Sequence, residues 1–388
     1  MQDTFITSIS IKKVRHLENV EISLSQKERK HLILTGKNGS GKTSLLEAMK
    51  NSVLLAQYNT QHSSGELNSV EISGYFLGNS DWFASKETLA SGVAIDYSAE
   101  SLNPWQIVFA YMPATRNKFN IPKSIEPMEI RGKALINRNA SVDFLKYVLN
   151  LDYQLFGAQT DGDALLKANL ENWFDNFHKA LCEIYACPNL QIKRDTKNLK
   201  FMIHLPGHEP FALHEMSDGY AAFLDIYLEL LMRMENAQTV VEYEQPAIVL
   251  IDEIETHLHV ELQKRVLPFL VRMFPNAQFV VSTHSPFVIT SLETSVVFDL
   301  EKKEILENPS LYSYETIVES FLDTSTYSFE LKRFFQRYKE LCFKERTAEE
   351  NEEFLRAKTK LELMSPASKE LYLAFKDLEE KRKAAKNG

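Results

Sequence analysis

Cysteine is nearly missing from this chain: Cys182, Cys187 and Cys342 are all it has in 388 residues. They form neither a C-x-x-C pair nor a disulfide framework, which excludes a stapled secreted scaffold and a zinc hook and fits a reducing compartment. Long apolar runs are missing too. No stretch approaches the roughly eighteen uninterrupted apolar residues of a membrane span, and the N-terminus, MQDTFITSISIKKVRHLENV, alternates where a cleavable signal would build an apolar block. A cytoplasmic chain without membrane association is therefore expected. Positive charge is not in excess: the net charge of -9 argues against a protein that coats nucleic acid through its overall charge, and a local basic patch is the one route left to DNA. Internal repeats and low-complexity tracts are absent. Glycine is scarce as well, with 13 residues, yet three of them, Gly36, Gly39 and Gly41, fall within six positions.

What is present is an ordinary globular composition, 44% hydrophobic and 25% charged, in a chain long enough for two domains or one elaborated domain. FITSISIKKVRHLENVEISL alternates and reads as two strands joined by a turn near His16 to Asn19. HLILTG is a third, buried strand, and SLLEAMKNSVLLAQ has helical spacing, so the glycines occupy a strand-to-helix connection. From about 56 to 103 turn signals separate the strand-like runs VEISGYFL and VAIDYS, which predicts a small antiparallel sheet. WQIVFAYMPATR is another apolar strand. A mostly helical insertion follows, from SVDFLKYVLNLDYQLF through ALLKANLENWFDNFHKALCEIY, and LQIKRDTKNLKFMIHLPG returns to strands. Beyond a long apolar helix that opens at MSDGY, PAIVLIDEIETHLH and AQFVVSTHSPF each place an apolar strand before a polar turn, with a helix between them. Strands alternating with helices in this order predict an α/β fold with a mainly parallel sheet. Charged helices close the chain.

Gly36, Gly41, Lys42 and Thr43 satisfy G-x-x-x-x-G-K-[ST] with a strand before and a helix after. Residues without a Cβ let successive backbone N–H groups face phosphate oxygens, and the helix N-terminus adds favourable potential. Lys42 is placed to hold the β and γ phosphates, and the Thr43 hydroxyl to ligate Mg²⁺. Hydrolysis requires more. In IVLIDEIE, Asp252 ends a buried apolar strand and Glu253 follows; in a P-loop enzyme the first acid contacts Mg²⁺ and the second polarises the attacking water. His284, at the end of the next strand in VVSTHSPF, is a candidate γ-phosphate sensor. Ser217, Asp218 and Gly219 open a long helix and make a second anion cradle, where the plain alternative is a helix cap.

These four elements in this order resemble the ABC-type ATPases of the SMC and OLD group. GKNGSGKTSLLEAM looks like their Walker A, MSDG like a shortened signature motif, LIDEIETHLH like Walker B with the following D-loop, and STHSPF like their switch histidine. The resemblance covers residues 5 to 60 and 205 to 300. It implies an ABC-type head with mixed or parallel sheet, divided as 1–110 (Walker A part), 111–200 (inserted helical lobe), 201–304 (signature, Walker B and switch histidine) and 305–388 (helical extension). It implies ATP and Mg²⁺ as cofactors, with Gly36, Asn38, Gly39, Ser40, Gly41, Lys42, Thr43 and Ser44 on the nucleotide, Thr43 and Asp252 on the metal, and Glu253 and His284 in catalysis. Arg15 takes the place of an arginine that often lies near the nucleotide. Two heads of this group sandwich two ATP molecules, so Ser217 and Gly219 are expected on the nucleotide of a second copy, in a dimer or a higher oligomer built from such dimers.

The insertion between Lys42 and Ser217 is broken by prolines, glycines and strands and cannot be a long coiled-coil arm. Fewer than 90 residues follow the sheet, without the clustered acids of a two-metal nuclease. The tail is similar to that of ATPases from bacterial phage-defence operons of the Septu and PARIS kind, which act with a separately encoded effector, often a nuclease. The expectation is an ATPase that controls such a partner in antiviral defence. The rivals are an ATP-bound scaffold with little turnover that cages an effector, and a DNA-repair-type ATPase; a transporter subunit fits poorly. Two polar residues stay open: Gln106 as the glutamine of a Q-loop or an exposed strand residue, and Arg116 as a group facing phosphates or DNA or a surface arginine paired with a local acid.

Overall fold

The computed structural model describes residues 4–61, 92–98, 107–116, 141–195, 198–234, 243–322, 327–363 and 369–387. They form two compact units, to Tyr314 and from Glu315.

The first unit is built on three sheets. β1 (Ile6–Val14) and β2 (Leu17–Ser23) are antiparallel. Their turn is tighter than the sequence suggests: it is made by Arg15 and His16, with Arg15 at φ 53°, and Asn19 already lies in β2. β3 (His31–Thr35) leads into the helix α1 (Lys42–Gln61), and β4 (Val93–Tyr97) pairs with the free side of β1. The strand expected from VEISGYFL and the residue Gln106 lie outside the described residues.

β5 (Val108–Met112) precedes a helical hairpin, α2 (Phe144–Asp161) and α3 (Ala164–Ile184). Their join is local chemistry. Gly162 ends α2 at φ 75°, a region open to glycine, and the Asp163 side chain caps α3 by accepting the Leu166 N–H at 3.0 Å. Phe144, Tyr147, Trp173 and Phe177 pack ring to ring between the two helices, with centroids 5.3 to 6.4 Å apart. The small antiparallel sheet β6 (Gln191–Asp195), β7 (Lys200–His204) and β8 (Phe211–Ala212) follows. A boundary between 200 and 201 would cut through β7.

α4 (Asp218–Arg233) then leads to β9 (Ala247–Ile251), α5 (Val260–Met273), β10 (Ala277–Ser282), the single turn α6 (Pro286–Ile289), β11 (Ser295–Asp299) and β12 (Glu304–Glu307). The central sheet has the order β12-β11-β3-β10-β9-β5, and only the β12 edge is antiparallel. Every residue of β3, β9, β10 and β11 is buried, which is why these strands read as near-continuous apolar runs. This is the mainly parallel α/β sheet expected. Because β12 belongs to it, the unit continues past 304, the limit drawn from sequence, to Tyr314.

Gln278 is one of the buried polar residues in these strands. Its amide accepts the Ile6 N–H at 2.6 Å and donates to the carbonyls of Ile6 and Lys30 at 3.0 and 2.7 Å. A buried amide satisfied three times ties β1 to β10 at the cost of no unpaired polar group. Five parallel strands bring their C-terminal ends to one edge, and Thr35, Met112, Ile251, Ser282 and Asp299 all lie on it.

The second unit holds α7 (Phe329–Leu341), α8 (Ala348–Glu362) and α9 (Lys369–Asn387). Tyr338 is its fully buried centre, stacked on Phe354 and edge-on to Phe375.

Candidate functional site

The sharp turn after β3 is made by glycines in conformations that other residues adopt only under strain. Gly36, Gly39 and Gly41 have φ of 130°, 85° and 99°. Space is short at two of them. A Cβ on Gly36 would lie 2.8 Å from Ser40 Oγ, and one on Gly41 3.0 Å from Leu17 Cδ1. The turn wraps its own lysine: Lys42 Nζ donates to the carbonyls of Gly36 at 2.7 Å and Lys37 at 3.2 Å. Burial lowers the Lys42 ammonium from its usual range, and the carboxylates of Asp252, Glu253, Glu255 and Asp299 oppose that shift.

The parallel register sets the acids beside this turn. β10 lies between β3 and β9, with Val281 opposite both Ile33 and Ile251. One residue past β9, the buried Asp252 accepts the Thr43 hydroxyl at Oδ2, 2.8 Å, and the Ser282 hydroxyl at Oδ1, 2.5 Å. Glu253 takes the left-handed conformation at φ 45°, which costs a non-glycine residue about 1 to 2 kcal/mol. Its N–H donates to Ser282 Oγ at 2.8 Å and its carboxylate accepts the Thr256 hydroxyl at 3.2 Å.

Asn38, Gly39, Gly41, Lys42, Thr43 and Ser44 line a cavity of about 220 Å³, with Arg15, Glu253 and His284 on its other walls. Behind them, Ser40 Oγ is buried with no hydrogen-bond partner among the described residues, and so is His284 Nε2. Burial lowers the His284 imidazole from its ordinary value; Lys42 adds to this, and Glu255, Glu253 and Asp252 work against it. Two orphaned polar atoms and a lysine beside a glycine cradle suit a polyanion. A hydroxyl joined to a buried carboxylate at the same edge suits a hard divalent cation.

Ser217 and Gly219 are not part of this cavity. Ser217 is exposed, caps α4 by position, and makes no side-chain cap hydrogen bond. Gly219 is buried for a local reason: a Cβ there would come within 3.1 Å of the His257 carbonyl, in the turn after Glu253.

Four residues escaped the sequence reading or were left undecided by it. His16 lines the cavity, and its Nε2 donates to the Ser40 carbonyl at 3.1 Å. Ser282 joins the two acids, as described. Glu255 Oε1 accepts the His284 N–H at 2.6 Å. Arg116 is not a surface arginine paired with an acid: one guanidinium nitrogen donates to the carbonyls of Asp252 and Glu253 at 3.1 and 3.0 Å, and another donates to the Pro113 carbonyl. A signal existed for Ser282, the last residue of an apolar strand in a parallel sheet. The other three depend on contacts that no local pattern encodes.

Residues 100–290 match the family model described as "AAA domain, putative AbiEii toxin, Type IV TA system". The chain is 30% identical over 146 residues to the retron Ec83 probable ATPase of Escherichia coli, covering 35% of this chain and 27% of that protein. It is 30% identical over 135 residues to the Septu protein PtuA of Bacillus mycoides (strain KBAB4), covering 32% and 19%, and 41% identical over 66 residues to the retron Vc95 probable ATPase of Vibrio cholerae, covering 16% and 13%. It thus spans less than a third of the length of each of these relatives. Among solved structures, it is similar to an SMC head bound to the C-winged helix domain of ScpA, at TM-score 0.38 and 15% identity over 76% of this chain and 93% of that one. A Thermotoga maritima SMC head gives 0.37 and 16% over 75% and 94%.

Proposed function

We propose that this chain, whose residues 100–290 match an AAA-domain family model and which is similar to a retron probable ATPase and to Septu protein PtuA, is an ABC-type ATPase that binds ATP with Mg²⁺ at the β3–α1 turn and hydrolyses it. The observation that carries this reading is the 2.8 Å bond between Thr43 and Asp252. It puts the hydroxyl of the phosphate-binding turn and a strand-end carboxylate at one point.

The glycine turn and the start of α1 direct N–H groups to the phosphates, and Lys42 exchanges its carbonyl partners for phosphate oxygens. Thr43 and Asp252 would hold Mg²⁺, which would supply charge neutralisation for the phosphate oxygens. Glu253, held by Ser282 and Thr256, orients the attacking water and takes up its proton. His284 presents Nε2 to the γ-phosphate and reports whether it is present. Arg15 and His16 complete the cavity wall, His16 against the glycine turn itself.

The exposed Ser217 hydroxyl, spare at a helix start and outside its own cavity, supports a second-copy role: two chains clasp ATP between the turn of one and the Ser217 cradle of the other. The Septu and retron relatives support a place in antiviral defence, where the nucleotide state of the dimer controls a separately encoded effector.

ATP binding and turnover, measured for wild type and Glu253→Gln, test the assignment. The variant should bind ATP as wild type does and lose most of its turnover. A wild type that binds ATP without turning it over, with or without DNA, would instead be an ATP-bound scaffold. A wild type that does not bind ATP at all overturns the site.

A further inference from the structure

Glu253 has to keep its carboxylate over the cavity from a backbone conformation that it would leave if released. Several contacts oppose that release. The Glu253 N–H is held by Ser282 Oγ and the next N–H, of Ile254, by the Ser282 carbonyl at 3.1 Å. Both are on the β10 side. On the other side the carbonyls of Asp252 and Glu253 converge on a single nitrogen of Arg116. The arginine can reach them because β5 and β9 run parallel with Met112 opposite Ile251, so the loop after β5 emerges beside the acids. The bond to the Pro113 carbonyl fixes the guanidinium to the end of its own strand.

The charge setting agrees with the geometry. Burial lowers the Arg116 guanidinium from its ordinary value, and the carboxylates of Asp225, Asp252, Glu255 and Glu253 oppose that shift. A planar group with fixed donors suits two successive carbonyls better than a lysine ammonium does.

We propose that Arg116 is a positioning residue for hydrolysis: it fixes the backbone on both sides of Glu253 through the carbonyls of Asp252 and Glu253, so that Glu253 faces the cavity, without itself touching nucleotide. The proposal rests on the ATPase reading for its kinetic consequence, and on the contacts alone for its structural one.

Both arms use the full chain as wild type, Arg116→Ala and Arg116→Lys. Hydrogen exchange, followed by mass spectrometry, compares the peptide 249–258 with the peptide 31–45. Exchange in 249–258 should rise about tenfold in Arg116→Ala and stay within about twofold in 31–45, because only the first loses a tether. Turnover at saturating ATP and Mg²⁺ should fall at least about tenfold while the Kd for mant-ATP stays within about threefold, the signature of a group that acts after binding. Arg116→Lys, which keeps the charge and reaches one carbonyl, should fall between on both readouts and serves where the alanine variant does not fold.

Unchanged exchange in 249–258 overturns the proposal whatever the turnover. So does a rise shared equally by both peptides, which would make Arg116 a general stabiliser, and so does full turnover in Arg116→Ala. A wild type without turnover defeats the hydrolase reading alone, and the exchange comparison still decides Arg116.

Discussion

Glu255 and His284 are joined through the main chain: Glu255 Oε1 accepts the His284 N–H at 2.6 Å. Glu255 Oε2 and His284 Nε2 are each buried with no hydrogen-bond partner among the described residues. A carboxylate in the turn after β9 thus sets the backbone of the turn after β10. Loss of a hydrogen bond to a charged group costs about 1.5 to 3 kcal/mol. Glu255→Ala is expected to lower turnover about tenfold with mant-ATP affinity little changed, whereas Glu255→Gln keeps an acceptor for the His284 N–H and most of the rate. Parallel turnover and binding assays check this.

Thr43 contributes a hydroxyl rather than charge, so its loss should show in the metal requirement. Thr43→Ala is expected to raise the Mg²⁺ concentration for half-maximal turnover about tenfold or more. A Mg²⁺ titration at fixed ATP measures it, with binding in excess chelator as the control that leaves the glycine cradle in place.

Two glycines of the same turn should respond differently. Gly36→Ala meets both a left-handed φ and a Cβ contact of 2.8 Å, whereas Gly39→Ala meets the φ alone, with nothing within 4 Å of the new atom. The first should cost about 1 to 3 kcal/mol and the second about 1 kcal/mol. Thermal unfolding of the two variants gives the comparison.

If two chains share each ATP, two dead variants should rescue each other. Lys42→Ala lacks the phosphate-binding turn and Ser217→Arg blocks the cradle. A mixed dimer of the two holds one intact pair, so an equal mixture should recover about a quarter of wild-type turnover. Either protein alone should stay inactive, and no recovery on mixing would mean that Ser217 does not complete the site of a second copy.

His31 gives the pH prediction. Burial, with Arg29 adding to it, lowers its imidazole from 6.5 to about 3, and its Nδ1 accepts the Phe279 N–H at 3.1 Å, which a protonated ring could not do. Above pH 6.5 the ring is neutral both folded and unfolded, and this contribution to stability is complete. As pH falls from 6.5 towards 3 the unfolded chain takes up the proton first, and about 1.4 kcal/mol is lost per pH unit. Urea unfolding between pH 7 and pH 5 should therefore show a steeper decline for wild type than for His31→Gln.

The parts legible in the sequence are those written locally. The glycines with Lys42 and Thr43, and the apolar run before Asp252, place themselves by pattern, and the helical character of α2 and α3 shows in their spacing. The rest is written in the register. Arg116 lies 136 residues from Asp252, and only the pairing of β5 with β9 makes them neighbours. The same holds for Glu255 and His284, which β10 brings side by side. The end of the first unit escaped notice because β12, EILE, is short and mostly exposed, with none of the apolar continuity of the strands it joins.

The parallel order of β3, β10, β9 and β5 has a consequence for the making of the molecule. Arg15, Lys42, Glu253 and His284 line one cavity from four widely spaced stretches of chain, so no fragment shorter than the span from the first to the last contains the whole pocket. Assembly must wait for distant segments to meet, a slow kind of closure. Any ligand captured there favours only the completed product, by mass action. A filled pocket would therefore require a chain made at least as far as His284, with its strands docked in this order.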